Sequence, residues 1–396
     1  VTGGPGTGKT TTINGILSAY EKQNPNKVIR LCAPTGRAAQ RMTESTGREA
    51  VTIHRLLEYK PYGNEVTYKN ANDKLEADLI VVDEASMLDM EFASIFFSAV
   101  PTGALVLIVG DIHQLPSVGP GDVLHDMISP GMIPTVQLTT VYRQGSHSPI
   151  IQNAIRIHQG IIAFMENEEY QTYITYSQTE LARKIIACAV SMHNKNIPFE
   201  TQILCPSHKG EAGVGMLNTA LQSLLNPGRQ GLKELKYGNT IYRSGDKVIL
   251  LNNNYQNGYF NGDIGIIKDI SDAGIHLNIF GSEIIIAKTE IDDLGLAYAM
   301  TIHKSQGSEF KNIIVSLPMS PKSMLKRNLL YTAITRAKKT VIVVTEKQAV
   351  SIAVKTCETG KRNSRLALRI KEEFQKSNGF NERSINCGEN IARKSY

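Results

Sequence analysis

The chain has no apolar run approaching the ~18 to 20 residues that a membrane-spanning helix requires, and its greasiest stretch, Ala104 to Val109, has the length of a buried strand. A soluble protein is expected. Cysteine is scarce and scattered. Cys32, Cys188, Cys205, Cys357 and Cys387 form no C-x-x-C pair, and no histidine stands at zinc-ligand spacing. A metal cluster is therefore not expected, and a reducing cytoplasm is the setting that fits. Internal repeats, low-complexity linkers and any signal or targeting segment are also missing. Strong charge of one sign is missing too, despite a formal net charge of +6. Residues 360–396 carry nine Lys/Arg against four Asp/Glu, which leaves the first 359 residues at +1. Net charge is thus a poor witness for nucleic acid, and the polar, basic tail over 360–396 reads as a helix followed by a partly disordered end.

What the chain does have is material for two or three domains, with 396 residues, 41% of them hydrophobic and 20% charged. The string Gly3-Gly4-Pro5-Gly6-Thr7-Gly8-Lys9-Thr10 fits G-x-x-x-x-G-K-[ST], a phosphate-binding loop. Its glycines let the backbone turn N–H groups and a helix start toward β- and γ-phosphates. Lys9 adds positive charge, the Thr10 hydroxyl suits magnesium, and Thr11 continues the helix start. Only Val1 and Thr2 precede the loop, where such folds place a buried strand. The expectation is a chain whose front end lies outside this sequence.

The first 150 residues alternate buried-strand runs, Val28 to Ala33, Leu79 to Val82 and Ala104 to Val109, with helical patterns after Lys9, Thr35 and Leu88. This is a doubly wound α/β pattern, and ligands in such sheets sit at the carboxyl ends of the strands. A second α/β segment begins around Thr201 to Cys205 and Gly213 to Leu225. A stretch of short strands from about 242 to 288 interrupts it as a small inserted β-barrel. Buried-strand patterns return at Ala297 to His303, Asn312 to Ser316 and Thr340 to Thr345. A hairpin-like segment over 58–77 is a second insertion, in the first domain.

Two further motifs carry chemistry. Val81-Val82-Asp83-Glu84 is an apolar strand ending in two carboxylates, with Asp83 suited to magnesium and Glu84 to polarising the attacking water. Gly110-Asp111-Ile112-His113-Gln114 follows the next strand, and the Gln114 amide suits a γ-phosphate sensor. The Asn-Lys-x-Asp string that selects guanine is absent, which favours ATP.

From Thr2 to about Leu368 these motifs resemble superfamily 1 DNA helicases, most closely the RecD-like, 5′-to-3′ branch. The pieces are Ala33-Pro34-Thr35-Gly36-Arg37-Ala38-Ala39, Thr52-Ile53-His54-Arg55, DEASM from Asp83, GDIHQLPSVGPGDVL from Gly110 and Tyr142-Arg143-Gln144. Further on come Asn261-Gly262-Asp263-Ile264-Gly265, HKSQGSEF from His303 and YTAITRAKK from Tyr331. The resemblance implies two RecA-like P-loop domains, 1–145 and 146–359, with ATP and magnesium between them. Arg143 and Arg336 would reach the γ-phosphate from the opposite wall, with Gln306, Gly307 and Glu309 near the nucleotide. Single-stranded DNA would run over Pro34, Thr35, Arg37, Thr52, His54, Arg55, Thr301, His303 and Lys304. The 58–77 hairpin would be a strand-splitting pin, although Tyr59 and Tyr62 read more simply as packing on their own domain.

The resulting expectation is a monomeric ATP-dependent helicase core acting on single-stranded DNA and single-strand/duplex junctions, in repair or recombination. His113 stands where relatives often carry an acidic residue, and the relatives' upstream adenine-contacting and helix-hairpin-helix elements are not in this sequence. Two alternatives stay open. One is a DNA-stimulated remodelling translocase, including the helicase part of a conjugative relaxase, and the other a DNA-binding fragment with a silent ATPase. No His-hydrophobic-His cluster or Tyr pair for nicking is present.

Overall fold

The computed structural model describes residues 1–62, 65–141, 148–162, 164–194, 200–254, 257, 259–279, 281–357 and 362–376. Two parallel sheets dominate it. The first runs in the order Ala50–Thr52, Ile29–Ala33, Leu79–Val82, Leu105–Ile108. Thr2–Gly3, paired with Gln137–Leu138, continues it through a bridge from Thr2 to Gly110. Ile29–Ala33, Leu79–Val82 and Leu105–Ile108 lie in the apolar runs of the sequence, and the central strand Leu79–Val82, buried at every position, shows why: a parallel strand covered on both faces has no need of polar alternation. Helix Lys9–Gln23 places Ile13 and Leu17 in one core with Leu31, Leu79 and Val81. Burying each such aliphatic side chain contributes about 1.5–3 kcal/mol. Helix Gly36–Thr46 starts where Thr35 Oγ1 accepts the Ala38 N–H at 3.2 Å, and it stops at Gly47, whose φ is 67°.

The second sheet is wholly parallel, in the order Ala299–Thr301, Thr201–Cys205, Phe310–Leu317, Ala337–Glu346, Tyr170–Thr175. Separate apolar cores cover its two faces, one around Leu329, Leu330 and Ile334 and the other around Leu181, Leu217 and Leu221. Between Thr201–Cys205 and Ala299–Thr301 the chain forms a five-stranded antiparallel sheet, Ser282–Ala287, Gly274–Ile279, Ile264–Ser271, Lys247–Leu250, Leu294–Leu296. It ends beyond the expected residue 288, and a separate hairpin, Glu234–Tyr237 with Thr240–Arg243, precedes it. In the first half, Lys60–Tyr62 pairs with Glu65–Thr67 as an antiparallel hairpin. The expected boundary between residues 145 and 146 lies outside the described residues. So do the tail residues 377–396. Residues 366–376 are helical, and Leu366 packs on the core of the first half beside residues such as Ile53 and Phe96.

The two halves grip each other through Leu115. Its N–H donates to Thr332 Oγ1 at 2.8 Å, and its carbonyl accepts from Gln306 Nε2 at 2.9 Å. Nearby, the Tyr331 hydroxyl donates to Asp111 Oδ2 at 3.0 Å. Both of these polar groups are buried, so the contact shuts water out of the seam.

Candidate nucleotide cleft and nucleic-acid track

The phosphate-loop glycines adopt the conformations their motif requires. Gly6 and Gly8 have φ of 73° and 83°, a left-handed region that a Cβ disfavours, and Gly8 directly precedes helix Lys9–Gln23. Lys9 folds back over the loop, its Nζ donating to the Gly3 carbonyl at 2.7 Å and the Gly4 carbonyl at 3.0 Å. Above the loop lies a cavity of about 350 Å³, lined by residues of Pro5–Thr11 with Arg41, Asp83, Glu84, Gln114, Glu309, Thr335 and Arg336. Carboxyl ends of strands in the first sheet thus face a wall built by the second. A larger recess of about 900 Å³, lined by Glu21, Arg48, Arg55 and Lys69 among others, holds none of the phosphate-binding motifs. Chemistry rather than size identifies the nucleotide site.

Burial and the charge of Glu84 push the Asp83 carboxyl up to about 6, against the opposing pull of the Glu84 N–H, Lys9 and Arg41. Two adjacent carboxylates held this way make a site short of positive charge, which a divalent cation fits with Thr10 beside it. Glu84 itself has φ of 51°, a strained conformation for a residue with a side chain, where the chain turns its carboxylate into the cleft. Arg336 arrives from the other half. It is 4% exposed, its Nη1 donates to the Ser308 carbonyl at 3.3 Å and lies 3.8 Å from the Glu84 carboxylate. Its buried Nε has no hydrogen-bond partner among the described residues. An orphaned guanidinium N–H in a phosphate-loop cavity fits an anionic oxygen, and the cavity as a whole fits a nucleoside triphosphate with magnesium.

Gln114 lines the cavity, its Nε2 held 3.4 Å from Asp111 Oδ2. Arg143 lies outside the described residues. Of Gln306, Gly307 and Glu309, only Glu309 lines the phosphate cavity. Gln306 turns its amide to Leu115, and Gly307 seats on the helix start, where an added Cβ would meet Thr35 Oγ1 at 2.9 Å. The turn thus sits between the nucleotide cavity and the loop at Thr35.

Two further cavities flank the loop Ser117–Gly119. One, about 400 Å³, is lined by Pro34, Thr35, His54, Tyr59, Phe92, Val118 and Gln306 among others. The other, about 270 Å³, includes His303, Lys326, Asn328 and again Ser117 and Val118. His54 stacks on Phe92 with ring centroids 4.0 Å apart, and burial holds its imidazole below the ordinary range. Tyr59 stacks on Tyr68 and meets Phe92 edge-on, so it packs on its own half.

Other residues expected on the track are placed differently. Thr52 caps the short helix Ile53–Leu56, and Thr301 Oγ1 accepts the Lys304 N–H at 3.2 Å. Lys304 is half-buried, which lowers its ammonium pKa. Arg55 faces Glu49 and borders the large recess instead. Arg37 lies over the Phe310 ring at 5.0 Å, with its Nη1 shut off from solvent and the charge of Asp263 supporting it. Phe260 packs against the same helix start, where Gly36 leaves it room.

Sequence reasoning missed Arg41, whose Nη1 donates to the Gly307 carbonyl at 3.1 Å and whose Nη2 pairs with Glu309 at 2.8 Å. A signal was present, since Arg41 follows the small buried residue Ala38 by three positions and so lies near the face that residue packs. Tyr331 and Asp111 lie inside the YTAITRAKK and GDIHQLPSVGPGDVL strings, where their residue types gave no sign of a role in the seam.

Comparison with known proteins agrees with this geometry. Residues 1–120 match the AAA domain family, 217–279 the SH3 domain of ATP-dependent RecD-like DNA helicases, and 296–344 the UvrD-like helicase C-terminal domain. The chain is 37% identical over 338 residues to the ATP-dependent RecD2 DNA helicase of Deinococcus radiodurans, covering 85% of this chain and 45% of that protein. It is 30% identical over 413 residues to the RecBCD enzyme subunit RecD of Mycobacterium tuberculosis, covering 93% of this chain and 70% of the subunit. The chain therefore spans about half the length of the first relative and over two thirds of the second. In fold it is similar to Bacteroides Pif1 bound to single-stranded DNA, with a TM-score of 0.52 and 22% identity over 96% of this chain and 93% of that one. A Pif1 structure describing unwinding at forked duplex DNA gives a TM-score of 0.53, also at 22% identity, over 96% of this chain and 92% of the other. With its phosphate loop, carboxylate pair and facing arginine set in this fold, the chain belongs to the RecD-like family of ATP-dependent DNA helicases.

Proposed function

We propose that this chain is the motor core of an ATP-dependent DNA helicase that moves 5′-to-3′ on single-stranded DNA and opens duplex, in repair or recombination. One observation carries the proposal. Arg336, from the second half, lines the cavity formed by the phosphate loop, Asp83 and Glu84 of the first, with Nη1 3.8 Å from the Glu84 carboxylate and a buried Nε that has no hydrogen-bond partner among the described residues. A site split between two bodies couples phosphate chemistry to their relative motion. Bound ATP with magnesium supplies the phosphoanhydride bond whose cleavage releases energy. Phosphate-loop N–H groups and Lys9 bind, Thr10 and Asp83 hold the metal, Glu84 orients water and Gln114 senses the γ-phosphate. Arg336, and Arg143 with it, stabilises the developing charge.

We assign 1–145 and 146–359 to two RecA-like domains, with the antiparallel sheet as an inserted barrel and the hairpin over 58–77 as the strand-separating pin. DNA would pass over Pro34, Thr35 and His54, then over the loop Ser117–Gly119 to His303. The family resemblance alone supports the polarity. The test is unwinding of duplexes with a single tail. Opening of a 5′-tailed but not a 3′-tailed substrate is expected, and robust ATPase without strand separation would favour a remodelling translocase instead.

A further inference from the structure

We propose that Arg362 is a positioning residue for the DNA track, strapping the C-terminal segment onto the first half and holding the Ser117–Gly121 loop between the two track cavities. The segment leaves helix Ala349–Lys355, whose Ala349, Val350 and Ala353 belong to the core of the second half. By Arg362 the chain has reached the first half. The guanidinium Nη1 donates to the Gly119 carbonyl at 2.7 Å, the Gly121 carbonyl at 2.6 Å and Ser117 Oγ at 3.4 Å, and Nη2 donates to the Ser117 carbonyl at 2.8 Å. Four residues later Leu366 enters the apolar core of the first half, and a helix follows over 366–376.

Four acceptors of one loop converge on one side chain, which a planar fork with five donors serves and a single ammonium does not. Other contacts share the loop. From below, helix Met90–Ala99 contributes the Met90 N–H to the Pro120 carbonyl at 2.8 Å, Ser117 Oγ reaches the Gly119 carbonyl at 3.2 Å and the Gly121 carbonyl at 3.4 Å, and Gly119 and Gly121 pack on Asp89 and Met90. Yet Ser117 and Val118 line both track cavities, and Val118, 83% exposed, stands between them. Arg362 also borders the cavity that holds His303 and Lys326. Fixing this loop fixes the spacing between the part of the track carried by the first half and the part carried by the second.

The proposal rests on the assignment of these cavities to single-stranded DNA, so its test has two arms. In the full chain without DNA, hydrogen exchange is measured at the Met90 amide, which donates to the loop's Pro120 carbonyl, for wild type, R362A and R362K. Exchange is expected to quicken by about tenfold or more in both variants, given about 1 kcal/mol or more per lost hydrogen bond to a charged donor. Should R362A not fold, R362K, which keeps the stem and charge, answers the same question. In the second arm ATPase is titrated with oligothymidylate. The concentration giving half-maximal stimulation is expected to rise about tenfold, with the DNA-free rate and the rate at saturating DNA unchanged. Wild-type protection retained in R362A, full protection restored by lysine, or a loosened loop with an unaltered DNA requirement would each overturn the proposal. A wild-type chain that DNA does not stimulate would overturn the track assignment and the proposal with it, while the exchange arm still reports whether Arg362 holds the loop.

Discussion

Replacing Arg336 tests the two-body cleft at its most exposed point. The side chain is buried and lines the phosphate cavity, its Nε has no hydrogen-bond partner among the described residues, and Nη1 sits 3.8 Å from Glu84. A unit charge developing at a similar separation, in surroundings of effective dielectric ~20, interacts with the guanidinium by about 4 kcal/mol. If that interaction is made in the transition state and not in the ground state, its loss slows hydrolysis by about 10³-fold. R336A is therefore expected to lower kcat about a thousandfold at saturating oligothymidylate, with nucleotide affinity changed by less than about tenfold. R336K restores little, because an ammonium at the end of a flexible stem does not reproduce the fork. Steady-state ATPase together with fluorescent-nucleotide titration measures both quantities. A kcat within tenfold of wild type, or a loss confined to KM, would refute the placement of Arg336 as the charge-stabilising group.

Three further perturbations probe other joints. G307A places a Cβ at φ of 70° and within 2.9 Å of Thr35 Oγ1, so it should weaken the coupling turn by about 1–2 kcal/mol and lower DNA-stimulated more than basal ATPase; equal loss of both rates would contradict the coupling role. Burial, with the charge of Arg37 adding to it, lowers Lys247 to about 7 although its Nζ donates to the Thr201 carbonyl at 3.1 Å. Between pH 7 and its unfolded value near 10.5 the unfolded chain binds the extra proton, so stability gains from this group as pH rises through that window and the penalty is complete below it. K247M should raise the melting temperature most at or below pH 7, with the gain fading toward pH 10, and a gain independent of pH would refute the sign. Y331F leaves Asp111, 1% exposed, without the hydroxyl 3.0 Å away and should cost about 1–3 kcal/mol by denaturant unfolding; an unchanged midpoint would show that the seam does not depend on that bond.

Much of the fold was legible because its signals are local. Leu79–Val82 is buried at every position, so the apolar run alone marks a strand covered on both faces. Thr35 and Thr52 announce helix starts because their hydroxyls cap them. The antiparallel sheet runs past its expected end, and the hairpin before it was not foreseen. Leu294–Leu296 closes it after a 3-10 turn that breaks the strand rhythm, and the Glu234–Tyr237 strand is mostly exposed and carries little pattern.

The cleft was legible in its parts and not in its assembly. Arg336 and Glu84 are 252 residues apart, and only the docking of the halves brings them together. Arg37, Arg55 and Gln306 show the converse. Their residue types suit phosphate or DNA, and the fold sets Arg37 over the Phe310 ring, Arg55 3.9 Å from the exposed Glu49 and the Gln306 amide on the Leu115 carbonyl, contacts between segments distant in sequence or too weak to leave a pattern. Nothing in the polar sequence of the tail marks Arg362 as a strap, since its acceptors are backbone carbonyls that any sequence supplies.

The central claim is that nucleotide hydrolysis in this cleft answers to a single strand bound beside it. ATPase rates of wild type and K9A, measured with and without oligothymidylate, test it most directly. Wild-type hydrolysis should rise sharply with DNA, and K9A should be inactive under both conditions, because Lys9 is the phosphate-loop cation over the Gly3 and Gly4 carbonyls. A wild-type rate indifferent to DNA, or a K9A rate equal to wild type, would contradict it.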